Sequence, residues 1–108
     1  MARAARRYDI FLPLAFNDGR PIPDEKFESV DSKLIEQFGG VTAQLRDFPL
    51  RGAWRSEGRL YQDQVIILTV IDFRKRGSDR FLRDLKQRLL RDFEQLEILI
   101  AESPLRVR

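Results

Sequence analysis

One stretch of the chain, residues 59–72, constrains the fold more than any other. From Val65 to Ile71 its side chains are almost all aliphatic, on both of the alternating faces that an extended strand presents. Strands of this kind lie inside a sheet, with a neighbour on each side and a cover over each face. The stretch therefore predicts a central strand, and the rest of the chain must supply its neighbours and its cover.

Two segments have the helical spacing of apolar residues that such a cover needs. Asp24 is expected to be the N-cap of the first helix, which Gly39-Gly40 ends, and Ser78 is expected to cap the second helix. Opposite the apolar face of the second helix, arginine and aspartate alternate at i,i+4 spacing, which is typical of a solvated surface. The apolar positions are Phe27, Val30, Leu34, Ile35 and Phe38 in the first helix and Phe81, Leu82, Leu85, Leu89 and Phe93 in the second.

Two further segments before the central strand have strand character. Residues 8–16 are predicted to form the first strand, in which Pro13 introduces a bulge or an early end because it has no N–H to donate. Residues 41–56 begin as a strand, are interrupted near Phe48-Pro49 and then resume. A turn at Ser56-Glu57-Gly58 is expected to join this segment to the central strand as a hairpin.

The last strand is predicted at Leu96–Ala101, and Pro104 is expected to end it. The order strand-helix-strand-strand-helix-strand is the split βαβ arrangement, a ferredoxin-like β-α-β-β-α-β sandwich of the α+β class. In that arrangement the antiparallel sheet has the order 4-1-3-2, and both helices cover one face. We therefore predict a single domain over residues 1–108, with an ordered core of about residues 8–102 and a basic tail at each end.

The predicted hairpin, which includes the start of the central strand, has a distinctive sequence pattern. It contains Gly52-Ala53-Trp54-Arg55 and then Gly58-Arg59-Leu60-Tyr61-Gln62-Asp63. This Gly-x-Trp…Gly…Tyr-x-Asp pattern is similar to that of small uncharacterised bacterial proteins of ferredoxin-like fold. The resemblance covers about residues 8–101, and it implies the fold without supplying an activity.

The chain contains no cysteine and no histidine. Disulfides, thiolate or imidazole metal sites, and Ser-His-Asp or Cys-His catalytic arrangements are therefore excluded. Chemistry would fall to carboxylate, tyrosine, lysine or hydroxyl groups. We expect no cofactor and no bound metal, and the lack of cysteine favours a reducing, cytoplasmic location. No apolar run is long enough to span a membrane.

In the predicted topology, the start of the first strand, the ends of the third and fourth strands and the start of the second helix meet at one end of the molecule. We call this the basic end because eight of the chain's 20 basic residues would lie there, leaving 12 against 17 acidic residues elsewhere. Arginine side chains near a helix N-terminus can bind phosphate or the nucleic-acid backbone. The residues are Arg3, Arg6, Arg7, Arg74, Lys75, Arg76, Arg106 and Arg108, with Ser78 at the helix start.

An alternative for the basic end is a solvated loop and two solvated tails, with Asp9, Asp72 and Asp79 neutralising part of the charge. Sequence-specific reading of RNA is not indicated. Its common sheet-based form needs aromatic side chains along the central strand for base stacking, and this chain has aliphatic residues there.

The sheet face opposite the helices, which we call the open face, is a second candidate surface. The central strand is apolar on that face too, and exposed apolar surface of this extent usually marks an interface. The sequence therefore predicts a homodimer packed sheet to sheet, unless residues 44–53 or the C-terminal tail cover the face. The predicted interface residues are Phe11, Val65, Ile67, Leu99 and Ala101.

The hairpin supplies a third candidate in Tyr61 and Asp63, near Arg55 and Arg59. A tyrosine and a carboxylate beside arginines could carry out acid–base chemistry without histidine. The alternative is structural: Trp54 and Tyr61 form a cross-strand packing pair, and Asp63 pairs with an arginine.

Two function classes remain open on these grounds. In the first, the chain is a non-catalytic homodimeric binding module whose basic end engages an anionic partner, either phosphate or nucleic acid. In the second, it is a small enzyme or ligand-binding protein with a cavity at the dimer interface, using Tyr61, Asp63 and arginines. The sequence leaves the choice between enzyme and binding module undecided.

Overall fold

The structure is a computed structural model that describes residues 1–108. It contains two helices and a five-stranded sheet in which all neighbouring strands are antiparallel, so the predicted α+β class is confirmed. The elements in chain order are β1 (Arg3–Pro13), α1 (Asp24–Phe38), β2 (Thr42–Ala43), β3 (Leu50–Ser56), β4 (Arg59–Asp72), α2 (Asp79–Asp92) and β5 (Ile100–Val107).

The sheet order is β2-β4-β1-β5, and β3 also pairs with β4. This order differs from the predicted four-strand order 4-1-3-2, because the segment 41–56 forms two separate strands. Both pair with β4, β2 opposite Leu68 and Thr69 and β3 further along the strand. In the gap between them, the side-chain oxygen of Gln44 accepts a hydrogen bond of 2.6 Å from the Ile67 N–H. A side chain there replaces the backbone partner that a continuous strand would provide.

The core lies between one face of the sheet and both helices, as a single cluster of 16 buried residues. Alternate residues of β1 and β4 point into it, and the Phe27 and Phe93 rings meet edge to face at 5.3 Å between centroids. The strand residues of the cluster are Tyr8, Ile10, Leu12, Ile66, Leu68 and Val70. Their period of two places the intervening residues of both strands on the open face.

The two chain ends differ from the prediction. β1 begins at Arg3, so the first residues are not a tail but a strand that pairs with β5. Its end at Pro13 agrees with the expectation of an early strand end. The last strand runs Ile100–Val107 rather than Leu96–Ala101, and it continues through Pro104. Proline is tolerated there because β5 is an edge strand, where an N–H directed away from the sheet is not needed.

The helix starts also differ in detail. Asp24 is the first residue of α1, and the N-cap position is occupied by Pro23. Ser78 does occupy the N-cap position of α2, but its hydroxyl makes no capping hydrogen bond. It donates instead to a carboxylate oxygen of Asp72 at 2.8 Å. Neither helix has the length and apolar character needed to cross a membrane.

Candidate functional site: the open face and the basic end

The structure brings all five predicted interface residues onto the open face. Phe11 lies opposite Ile67 in the β1–β4 ladder, and its N–H donates to the Leu99 carbonyl at 3.0 Å. Val65 is two residues before Ile67 in β4 and so lies on the same face. Ala101 lies opposite Asp9 in the β1–β5 ladder. Because side chains alternate along each strand, further half-buried or exposed apolar residues lie on this face: Leu50, Trp54, Tyr61, Ile71, Leu105 and Val107.

No segment of the chain covers the open face. Both helices pack on the opposite face, and the C-terminal segment lies in the plane of the sheet as β5. The loop after β2 turns towards the helices, where Arg46 pairs with Asp24 at 3.3 Å and its guanidinium lies 4.9 Å from the centre of the Phe27 ring. Neither residues 44–53 nor the C-terminal tail therefore covers the open face, as the sequence had allowed.

The polar groups near the middle of the open face are paired with one another. Asp9 accepts a hydrogen bond of 2.6 Å from the Thr69 hydroxyl. The Arg7 Nε lies 3.1 Å from each of the two Asp9 carboxylate oxygens and donates to them. Because donors and acceptors are matched within one chain, this group does not depend on water or a partner for its main interactions.

β3 and the first half of β4 extend the open face as a hairpin arm, residues 50–64, whose side chains are mostly exposed on both faces. The Trp54 and Tyr61 rings stack across it with centroids 5.8 Å apart, as the structural alternative for this pair predicted. Asp63 makes no ion pair, however, and burial raises the pKa of its carboxyl. It lies in a groove of about 300 Å³ lined by Pro49, Leu50, Arg51, Gln62, Asp63 and Gln64.

The basic end is assembled as the topology predicted, but its residues are divided between the two faces. Arg3 lies opposite Val107 and Arg6 opposite Asp72, so the starts and ends of three strands meet there. By alternation, Arg3 and Arg7 are on the open face, whereas Arg6 and Arg106 are on the helix face. Residues 74–76 form the loop before α2.

The eight basic residues also differ in how far they are engaged. Arg74 is committed to the fold: its guanidinium lies 3.5 Å from the buried Asp72 carboxylate and donates to the Gln37 carbonyl at the end of α1. Arg7 is paired with Asp9, and Arg3 lies over the Phe73 ring, 4.1 Å from its centre. No ion pair engages Lys75, Arg76, Arg106 or Arg108.

Three residues that the sequence did not single out lie beside Arg6 at the start of α2. Tyr8 is 1% exposed, and its hydroxyl is buried without a hydrogen-bond partner. Glu102, opposite Tyr8 in the β1–β5 ladder, approaches the Arg6 guanidinium at 3.8 Å. Gly77 leaves the space that Arg6 occupies, because a β-carbon at this position would collide with the guanidinium.

The charges around Tyr8 act on it in opposite directions. Burial raises the pKa of its phenol, and the Glu102 carboxylate acts in the same direction, whereas Arg6 and the Ser78 backbone lower it. These groups are close enough to affect the pKa, yet none has the geometry of a hydrogen bond to the hydroxyl. The sequence pattern predicts that the Tyr8 ring lies on the apolar face of the first strand, but it does not predict the surroundings of the Tyr8 hydroxyl.

The sequence matches no protein-family model and no curated protein. The fold is similar to that of the divalent cation tolerance protein (Cut A1) from Thermus thermophilus, with a TM-score of 0.62 and 17% identity over 94% of this chain and 84% of that one. It is also similar to a phage SAM lyase in complex with S-methyl-5′-thioadenosine, with a TM-score of 0.61 and 17% identity over 95% and 88% of the two chains. At this identity the likeness concerns the fold alone.

The chain has no cluster of three or more acidic side chains that could hold a metal ion. The side chains that gather here are instead arginines, a tyrosine and single carboxylates, which suit anions or hydrogen-bonding ligands.

Proposed function

We propose that the protein is a homodimeric, non-catalytic binding module. Two copies pack sheet to sheet through the open face, and the basic end binds the phosphate groups of an anionic partner. The observation that carries the proposal is the uncovered apolar surface of the open face, centred on Phe11 and Ile67. Surfaces of this kind are costly to leave in water, so a partner is expected to cover them.

The dimensions of the open face support a second copy as that partner. β1, β3, β4 and β5 contain 11, 7, 14 and 8 residues. With a rise of about 3.3 Å per residue and strands about 4.8 Å apart, one face of this sheet spans roughly 600 Å² in projection. A standard interface buries roughly 800 Å² from each partner, so a dimer of that size would engage nearly the whole face, the hairpin arm included.

The pairing of the polar groups supports the same conclusion. Burying a carboxylate in an interface is costly unless it is paired and hydrogen-bonded. Asp9 already has both an arginine partner and a hydroxyl donor within its own chain. The carboxylate of Asp9, near the middle of the face, can therefore be buried between two copies without losing its partners.

The basic end supplies the proposed binding surface. Four basic side chains there have no acidic partner, and two of them, Lys75 and Arg76, lie in the loop just before α2, whose first backbone amides carry partial positive charge. Phosphate oxygens suit both kinds of donor. A dimer would present two such ends and so gain affinity for a partner that carries several phosphates.

Fluorescence anisotropy with labelled single- and double-stranded nucleic acid tests the binding surface. We expect binding that weakens steeply with salt, and a triple variant Lys75→Ala/Arg76→Ala/Arg106→Ala that reduces the slope of log K against log[salt] by about three for a duplex. Arg74 is left in place because it supports Asp72.

The matched control removes the same charge from the exposed outer side of α2, as Arg83→Ala/Arg88→Ala/Arg91→Ala. The control should bind as the wild type does. Equal weakening in both variants would mean that net charge alone drives binding, and it would contradict a specific basic end.

The groove beside Asp63 favours a second candidate, a small-molecule site. A partly buried carboxyl without a cationic partner and with a raised pKa is a common feature of functional sites. The phage SAM lyase is described in complex with a nucleoside thioether, so a ligand of that size can be accommodated on this fold.

A thermal-shift screen with nucleosides and nucleoside thioethers tests the second candidate. A ligand of this groove should raise the unfolding temperature of the wild type, and the rise should disappear in Asp63→Asn while the fold is retained. A rise that Asp63→Asn leaves unchanged would place the ligand elsewhere.

A further inference from the structure

The buried hydroxyl of Tyr8 is the starting observation. The large majority of buried side-chain polar atoms in proteins have a hydrogen-bond partner, so a buried hydroxyl without one needs an explanation. Tyr8 is 1% exposed and its hydroxyl has no partner in the chain. A missing ligand is one explanation, provided that the hydroxyl points to a place where a ligand can be held.

The hydroxyl does lie at such a place, the turn that leads into α2. A β-carbon built on Gly77 would be 3.5 Å from the Tyr8 hydroxyl oxygen and would collide with the Arg6 guanidinium. Gly77 also has a positive φ of 68°, which favours glycine. The turn thus brings the backbone close to a tyrosine hydroxyl and an arginine at once.

The N-terminus of α2 itself is open. The helix has 14 residues, and no side chain caps its first turn. Ser78, the residue in the N-cap position, uses its hydroxyl for Asp72. The first amides of a helix have no acceptor within the helix, and together they favour an anion.

The negative charge of the acidic residues nearby is partly compensated within the chain. Asp72 is matched by Arg74 and by the Ser78 hydroxyl, so its charge is already compensated. Glu102 is the competitor, because its carboxylate is the partner of Arg6; the contact is long, 3.8 Å, and both side chains are nearly half exposed. Asp79, the first residue of the helix, adds further negative charge, so the site suits an anion that makes several hydrogen bonds.

We propose that the Arg6 guanidinium, the Tyr8 hydroxyl and the free first amides of α2 form a pocket for a tetrahedral oxyanion, either free phosphate or the terminal phosphate of a small ligand. The pocket rests on the proposed anion-binding function and narrows it from a charged surface to a defined site. On binding, the oxyanion replaces Glu102 as the partner of Arg6 and gives the Tyr8 hydroxyl its acceptor.

Titration with inorganic phosphate, followed through the amide signals of a ¹H–¹⁵N NMR spectrum, tests the pocket. Phosphate should shift the amides of residues 77–80 in the wild type. Tyr8→Phe should weaken phosphate binding by on the order of tenfold, because a hydrogen bond to a charged group is lost. Glu102→Gln should strengthen binding severalfold, because a competing negative charge is removed.

Ser29→Ala is the control, since it removes an exposed hydroxyl from the first half of α1; it should bind phosphate as the wild type does. Urea unfolding of Tyr8→Phe checks the fold, and its midpoint should equal or exceed that of the wild type. Phosphate affinity that neither Tyr8→Phe nor Glu102→Gln changes would overturn the pocket.

The two proposals fail in different ways. If nucleic acid binds through Lys75 and Arg76 but phosphate shifts none of the α2 amides, the pocket is wrong and the basic end stands. If neither probe binds, both proposals are wrong. If phosphate binds and depends on Tyr8 while nucleic acid does not bind, the pocket stands and the partner is a small phosphorylated molecule.

Discussion

The proposed sheet-to-sheet dimer predicts that the wild type sediments as a dimer and that an Ile67→Asp variant is a folded monomer. Ile67 lies opposite Phe11 near the middle of the open face, and its side chain is half-buried in the single chain. In a sheet-to-sheet dimer an aspartate there would have to leave water without a partner. That desolvation costs several kcal/mol per ion, and each 1.4 kcal/mol weakens association about tenfold. Sedimentation equilibrium of the variant should therefore give the 12.7 kDa of one chain.

Leu96→Asp is the control for this experiment. Leu96 is 97% exposed and lies between α2 and β5, outside the open face. The same change of side chain there should leave the dimer intact, and circular dichroism should show that both variants are folded. An Ile67→Asp variant that still sediments as a dimer would mean that the open face is not the interface.

The second large effect is expected at Asp72, the buried carboxylate at the end of β4. It is 1% exposed, and it accepts hydrogen bonds from the Arg74 N–H at 3.0 Å and the Ser78 hydroxyl at 2.8 Å. Asp72→Ala would leave both donors and the Arg74 guanidinium without their acceptor. Breaking a buried pair in this way costs about 3–5 kcal/mol. Urea unfolding should show a loss of about 3 kcal/mol, because the Arg74 guanidinium is itself half exposed.

Two further variants make this prediction specific. Asp84→Ala removes an exposed aspartate from α2 and should change the unfolding free energy by less than about 0.5 kcal/mol. In the double variant Asp72→Ala/Ser78→Ala, part of the loss should be recovered, because the Ser78 hydroxyl no longer remains buried without an acceptor. Strictly additive losses in the double variant would contradict the hydrogen bond between these residues.

The open face was predictable because it depends on the simplest pattern in the chain. Side chains alternate between the two faces of a strand, so Val65 and Ile67 had to share a face once residues 59–72 were identified as a strand. Phe11 followed in the same way from the first strand. The helices were predictable for a similar reason, since their apolar residues recur at helical spacing.

The terminal strands were not predictable, because no pattern within them indicates extended structure. Arg3–Arg7 and Glu102–Val107 mix charged, small and proline residues, and they form strands because they pair with each other; Arg6 and Arg7 pair with β4 as well. The register of that pairing determines which side chains of β1 and β5 meet at the candidate pocket. Glu102 lies opposite Tyr8 because of this register, in a strand that begins at Ile100, four residues later than the apolar pattern suggested.

The central claim is that a second copy of the chain covers the open face, and sedimentation equilibrium of the wild-type protein over a wide concentration range tests it most directly. We expect a single species of twice the 12.7 kDa chain mass that dissociates only on dilution. A mass of one chain at every concentration would contradict the claim and leave the open face without the partner proposed for it.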